Sequence, residues 1–151
     1  MGDRFANLSK GIEGLELEFG KPALQSKIYE TKAWGNTNQA KFLNMAVLFN
    51  CNQAPNAILE KLKNLEIKVG RKSRAHWQER ELDIDIIFYE NNIINTPMLI
   101  VPHALMHERN FVLRPLDEIC PQFIHPVFKK NISELLEMCS DKLEVNVWKA
   151  N

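Results

Sequence analysis

The hydrophobic rhythm of the chain changes several times, and each change predicts an element. From Asp3 onward, Phe5, Leu8, Ile12 and Leu15 recur at helical spacing, with Asp3 placed to cap the first turn. Residues 23–31, "ALQSKIYET", read as a strand, and "TKAWGNTNQA" as a loop rich in Gly and Asn. "KFLNMAVLFNC" (41–51) reads as a second strand. Helical spacing returns at Pro55, where Ile58, Leu59, Leu62 and Leu65 form one stripe that Gly70 closes. In "WQERELDIDIIFY" (77–89), Leu82, Ile84, Ile86 and Phe88 alternate with Asp83, Asp85, Ile87 and Tyr89, the period of a strand. "NNIINTPMLIVPH" follows as a partly extended stretch, and helical segments lie near 110–119 and 131–139. There are too few βα units for a doubly wound sheet. The pattern predicts an α+β sandwich, an antiparallel sheet carrying helices, as a single domain over 1–151.

The aspartate strand raises a chemical question. Residues two apart on a strand point the same way, roughly 7 Å from one another, so both carboxylates enter one space. Like charges there repel unless a cation sits with them. Just upstream, "GRKSRAHWQER" supplies Arg71, Lys72, Arg74 and Arg80 with Trp77 among them. Downstream, "PHALMHER" supplies His103, His107 and Arg109. Paired carboxylates suit Mg²⁺, which keeps several waters for a phosphate to replace. Arginine forks suit phosphate oxygens, and a tryptophan can stack on a base. Together these features point to phosphoryl-group chemistry on a nucleotide.

Taken singly, each has a plainer reading. A lone D-x-D pair fits a solvated strand face, the Arg/Lys run an exposed loop, Trp77 a lid on the core, and His103, after a proline, a turn cap. No Gly-x-x-x-x-Gly-Lys-Ser/Thr loop is present, so phosphates would be held by side chains and metal.

Composition narrows the partners. Lys plus Arg and Asp plus Glu balance at 19 each, which argues against a nucleic-acid or anionic-membrane binder. Cys51, Cys120 and Cys139 are an odd number without metal-ligand spacing and read as free thiols of a reducing compartment. No apolar run approaches a membrane span, and "MGDRFANLSK" has neither a basic n-region nor an apolar h-region. The expectation is a cytoplasmic monomer acting on small molecules.

These residues together resemble a known family. "WQERELDIDIIFY" is similar to the hallmark segment of the 6-hydroxymethyl-7,8-dihydropterin pyrophosphokinases of folate biosynthesis: Arg, two residues, Asp, an aliphatic, Asp, two aliphatics. Here these are Arg80, Asp83, Ile84, Asp85, Ile86 and Ile87. "YETKAWGNTNQAKFLNMAV", "LEIKVGR" and "VPHALMHERNFVLRPLDEICP" resemble further motifs of that family in the same order, over nearly the whole chain.

The resemblance implies a ferredoxin-like α+β fold and transfer of pyrophosphate from ATP to the pterin hydroxymethyl oxygen, releasing AMP. It implies that Asp83 and Asp85 hold two Mg²⁺ ions and that Arg71 and Arg80 contact the triphosphate. Glu66, Arg74, Trp77, His103 and Arg109 fall in the nucleotide site. For the pterin, Phe42 and Phe111 match the aromatic pair that sandwiches the ring, and Asn44 the amide that reads its edge. Thr31 and Trp34 fall at the loop lining the same pocket. From spacing alone Phe42 and Phe111 read as core packing. Asn44 is the better independent signal, because an amide inside an apolar strand needs partners.

One departure stands out. Members of that family open with a strand and a Gly-Ser-Asn turn before Gly-Asp-Arg, whereas this sequence starts at "MGDR". That strand is expected to be missing from the sheet, through a start lying upstream or through a shortened form. Two other readings of the residues stay open: a metal-dependent phosphodiesterase or nuclease, which would need more carboxylates, and a non-catalytic nucleotide- or pterin-binding relative.

Overall fold

The first helical stripe becomes α1 (Arg4–Phe19) and the one at Pro55 becomes α2 (Pro55–Gly70), in a computed structural model that describes residues 4–31, 42–70 and 82–150. Asp3, the expected cap of α1, lies outside the described residues. The chain divides into two units, Met1–Ala23 with Phe49–Ile86, and Leu24–Leu48 with Ile87–Asn151.

In the first unit α1 and α2 pack on each other and bury Leu15, Leu62, Leu65 and Val69. Two glycines of α1 permit the approach. A Cβ at Gly11 would stand 2.8 Å from Leu82 Cδ2, and one at Gly14 would overlap the Leu65 side chain. Proline opens α2 at a position whose N–H has no helical partner in any case. At the end of α1 the Lys61 ammonium, from the middle of α2, lies 3.3 Å from Glu18 Oε2 and 6.0 Å from the Phe19 ring centroid. Gly11 thus seats α1 against Leu82, the residue that leads into the aspartates.

Residues 82–88 depart from expectation. The alternation is there: Leu82, Ile84 and Ile86 are half-buried while Asp83 and Asp85 are exposed. The ladder is not, and no strand is formed by this segment among the described residues. Instead of joining a neighbouring strand, the Ile84 amide donates to Glu66 Oε2 of α2 at 2.6 Å. A side chain has taken the place of a ladder acceptor.

The second unit holds the sheets. The two expected strands exist as an antiparallel pair, each interrupted once: β1 (Leu24–Gln25) pairs with β4 (Val47–Leu48), and β2 (Tyr29–Thr31) with β3 (Phe42–Asn44). Between Gln25↔Val47 and Tyr29↔Asn44, the three residues Ser26–Ile28 oppose only Met45 and Ala46. That mismatch is a β-bulge, and it shifts the register by one. Ser26 holds it: its amide donates to the Ala46 carbonyl and its hydroxyl accepts from the Ala46 amide, both at 2.9 Å.

A short strand not predicted from the sequence, β7 (Val145–Val147), adds to the other edge of β2, giving the order β3-β2-β7. The extended stretch after Tyr89 forms a hairpin of β5 (Ile94–Asn95) and β6 (Ile100–Val101). Thr96 closes its turn, with the Leu99 amide donating to Thr96 Oγ1 at 3.0 Å.

The expected C-terminal helices are α3 (Asn110–Ile119) and α4 (Ile132–Met138). A capping box starts α4, Asn131 Oδ1 accepting from the Glu134 amide and Glu134 Oε1 from the Asn131 amide, each at 2.8 Å. The two helices share a core of Met106, Leu113, Leu116, Ile132, Leu135 and Cys139. Met106, Leu113 and Ile132 are fully buried, each contributing roughly 1.5–3 kcal/mol of hydrophobic stabilisation. With α3 also packed on β2, β3 and β7, the second unit is an antiparallel sheet carrying a helix.

Candidate active site

The aspartates are presented by the segment just described. Ile84 lies between them with its amide on Glu66, so Asp83 and Asp85 project on the exposed side while the aliphatic neighbours turn inward. Glu66, expected on the nucleotide side, therefore also fixes the segment that carries the aspartates. Among the described residues no group of three or more His, Cys, Asp or Glu side chains could enclose a metal ion. Two exposed carboxylates fit a divalent cation such as Mg²⁺ that shares its coordination with water and phosphate. A shallow groove lined by Glu13, Glu16, Leu17, Gly20 and Lys21 contains none of the expected residues.

In the second unit, strand register decides which side chains share a face. Directly opposed residues of an antiparallel pair point to the same side. Tyr29 opposes Asn44 and Val147, and Thr31 opposes Phe42 and Val145. Tyr29, Thr31, Phe42 and Asn44 therefore line one face of β3-β2-β7. The Tyr29 hydroxyl donates to Glu118 of α3 at 2.7 Å, so this is the face toward α3. Phe111 precedes Glu118 by seven residues, two helical turns, and so lies on the same stripe of α3.

The direction of α3 along the sheet follows from its two ends. Its last turn meets the start of β2, where the Lys27 amide donates to Glu118 Oε1 at 3.1 Å. Its first residue, Asn110, is bonded to Asp141 and Leu143, just before Val145 and hence near Thr31 and Phe42. Three expected pterin residues, Thr31, Phe42 and Phe111, thus come toward one end of one face, and Asn44 lies on the same face two residues along β3, opposite Tyr29. Phe42 is 45% exposed. Thr31 is buried, and its hydroxyl is without a hydrogen-bond partner among the described residues. A buried hydroxyl with no partner costs free energy that a ligand acceptor or donor would recover.

Arg109 stands at the N-cap of α3, its guanidinium carbon 5.9 Å from the Phe111 ring centroid. The Leu105 amide donates to His103 Nδ1 at 3.2 Å, so the turn-cap reading of this histidine is realised. That bond assigns the neutral ring's proton to Nε2. Trp34, Arg71, Arg74, Trp77 and Arg80 lie outside the described residues.

Sequence reading missed Tyr29 and Glu118, which lock the shared face to α3, and Asp141. For the first two a signal existed: Tyr29 is two residues before Thr31, and Glu118 seven after Phe111.

Antiparallel ladders with a helix packed on one face of the sheet define an α+β protein. Comparison with known proteins agrees. Residues 1–121 match the family model described as 7,8-dihydro-6-hydroxymethylpterin-pyrophosphokinase (HPPK). The chain is 43% identical over 134 residues to the 2-amino-4-hydroxy-6-hydroxymethyldihydropteridine pyrophosphokinase of Aquifex aeolicus, covering 89% of this chain and 83% of that protein. It is 40% identical over 150 residues to the Bacillus subtilis protein of the same name, covering 99% and 85%. The Methylorubrum extorquens protein of that name is 36% identical over 125 residues, covering 82% and 79%. The chain belongs to the HPPK family.

Proposed function

We propose that this protein transfers the pyrophosphoryl group of ATP to the hydroxymethyl oxygen of 6-hydroxymethyl-7,8-dihydropterin, giving the pterin diphosphate and AMP in folate biosynthesis. Membership of the HPPK family and the names of its relatives support the reaction. The observation that carries the substrate side is the shared face of Thr31, Phe42 and Asn44 toward the Phe111 stripe of α3.

On this reading Phe42 and Phe111 stack on the pterin, Asn44 hydrogen-bonds its edge, and Thr31 and Trp34 complete its pocket. Asp83 and Asp85 hold two Mg²⁺ ions together with the ATP phosphates. When bound, the metal neutralises phosphate charge and aligns the chain of phosphates. Arg71, Arg74, Arg80 and Arg109 bind phosphate oxygens, His103 donates through Nε2–H, and Trp77 and Glu66 belong to the nucleotide side. The residues do no covalent chemistry; they orient the pterin hydroxyl and offset charge as it shifts to the leaving AMP. The protein acts as one catalytic domain, a cytoplasmic monomer without nucleic-acid partners. Charge balance supports the last point, and no helix among the described residues is long and apolar enough to cross a membrane.

The test is an incubation with Mg²⁺, ATP and the pterin that resolves AMP from ADP. AMP is expected only when pterin is present. Asp83→Asn and Asp85→Asn should each lower the rate on the order of 10²–10³-fold, with thermal stability unchanged because both side chains are exposed. ADP as the product, or full activity in both variants, would sink the assignment.

A further inference from the structure

The first turn of α3 carries Arg109 and Phe111 but is poorly held by the helix itself. Pro115 lies inside α3 and has no N–H, so the Phe111 carbonyl lacks the donor it would meet four residues on. No side chain of Arg109 caps the helix either. The missing restraint comes from the chain that enters β7. Asp141 Oδ2 accepts from the Asn110 amide at 3.0 Å, and its Oδ1 accepts from the Leu143 amide at 3.0 Å. The Asn110 side chain answers by donating to the Leu143 carbonyl at 3.0 Å. Asp141 is buried at 8% exposure, and a carboxylate at a helix N-terminus is favoured by the helix dipole.

We propose that Asp141 is a positioning residue for the pterin site. Its three-bond clasp with Asn110 and Leu143 sets the first turn of α3, and so the height of the Phe111 ring above Thr31 and Phe42. The clasp also explains why β7 is in register with that end of the sheet, since Val145, opposite Thr31, follows it by four residues. Asp141 lies beyond the residues that match the family model, which end at 121. The proposal rests on Phe111 contacting the pterin.

The experiment is a double-mutant cycle read by pterin affinity and, in parallel, by melting temperature. Asp141→Ala is expected to weaken pterin binding about tenfold, the order of one lost charge-assisted hydrogen bond. In a Phe111→Ala background the same change should leave pterin affinity where Phe111→Ala alone puts it, while lowering the melting temperature as before. Asp141→Asn, which keeps one acceptor oxygen, should recover part of the loss. If Asp141→Ala does not fold, Asn110→Ala removes one leg of the clasp and should show the same coupling at smaller size. Effects that multiply in the double variant, or pterin affinity untouched by both Asp141→Ala and Asn110→Ala, would overturn the clasp. Unchanged pterin affinity in Phe111→Ala would instead overturn the pterin role of Phe111, and the proposal with it.

Discussion

The Tyr29 hydroxyl donates to Glu118 at 2.7 Å, and through that bond the middle strand of the sheet grips the last turn of α3. The same carboxylate oxygen accepts from the Lys27 amide at 3.1 Å, so one acceptor fixes both strand and helix. With Asp141 at the opposite end, α3 is tied to the sheet region twice. A helix held at both ends can present Phe111 at one height rather than a range of heights.

Tyr29 should titrate abnormally. Burial pushes its phenol up to about 12, with the hydrogen bond to Glu118 and that residue's charge adding to the rise. Ultraviolet titration should show a late phenolate step that is absent in Tyr29→Phe. Glu118→Gln should bring the late step down without returning it to 10.0, because burial is the larger cause. The folded state keeps its proton longer than the unfolded one, so this contribution to stability is full below about pH 10 and is lost as pH rises toward 12. A Tyr29→Phe variant that leaves the high-pH end of the titration unchanged would contradict the burial of this hydroxyl.

Asn44 offers a test of specificity. It sits half-buried at the end of β3 opposite Tyr29, where an amide can read the polar edge of a flat ring. Asn44→Ala should weaken pterin binding by roughly 10–100-fold and leave the affinity for an ATP analogue unchanged. Calorimetric titration of each ligand separates the two. Equal losses for both would mean that the substitution disturbs the sheet rather than one ligand.

The bulge at Ser26 makes a prediction about stability alone. In Ser26→Ala the Ala46 amide loses its acceptor in a part-buried setting, at a cost of about 1–2 kcal/mol. Urea unfolding should show this as a lower midpoint at unchanged slope. A wild-type midpoint would mean that the one-residue register shift is maintained without the hydroxyl.

What was legible in the sequence divides along physical lines. Both long helices were readable because 3.6-residue periodicity persists through Arg4–Phe19 and Pro55–Gly70. The paired strands were legible as strands, but not their interruption. A bulge depends on the count of residues between two ladders, which alternation within one strand does not reveal. β7 was missed although Val145 and Val147 alternate with Glu144 and Asn146, since three residues are too few to outweigh the background. The aspartate segment shows the reverse error. Its alternation forecast a ladder, yet the Ile84 amide goes to Glu66, a partner 18 residues away that no local pattern contains. Asp141 was invisible for the same reason: its acceptor role depends on Asn110, 31 residues earlier.

His125 should make the protein sensitive to mild acid. Its Nδ1 accepts the amides of Val127 and Phe128, both at 3.1 Å, so that nitrogen must stay unprotonated in the folded state. The ring is buried at 3% exposure, stacked 4.3 Å from Phe128 and set edge-on to Phe88 at 5.7 Å. Burial, with neighbouring His107 adding to it, lowers its pKa from the usual 6.5. The unfolded chain therefore takes up the proton first as pH falls. Stability from this group is full above about pH 6.5 and declines below it, by at most ~1.4 kcal/mol per pH unit until the folded form also protonates. Urea midpoints taken from about pH 8 down to about pH 5 should trace that decline. In His125→Asn the side-chain oxygen can still accept the two amides, but nothing there titrates. The variant should lose much of the acid slope while keeping most of its stability at neutral pH. An undiminished slope would place the acid sensitivity elsewhere; a large loss at neutral pH would mean that the imidazole's stacking on Phe128, rather than its acceptor nitrogen, is what this turn depends on.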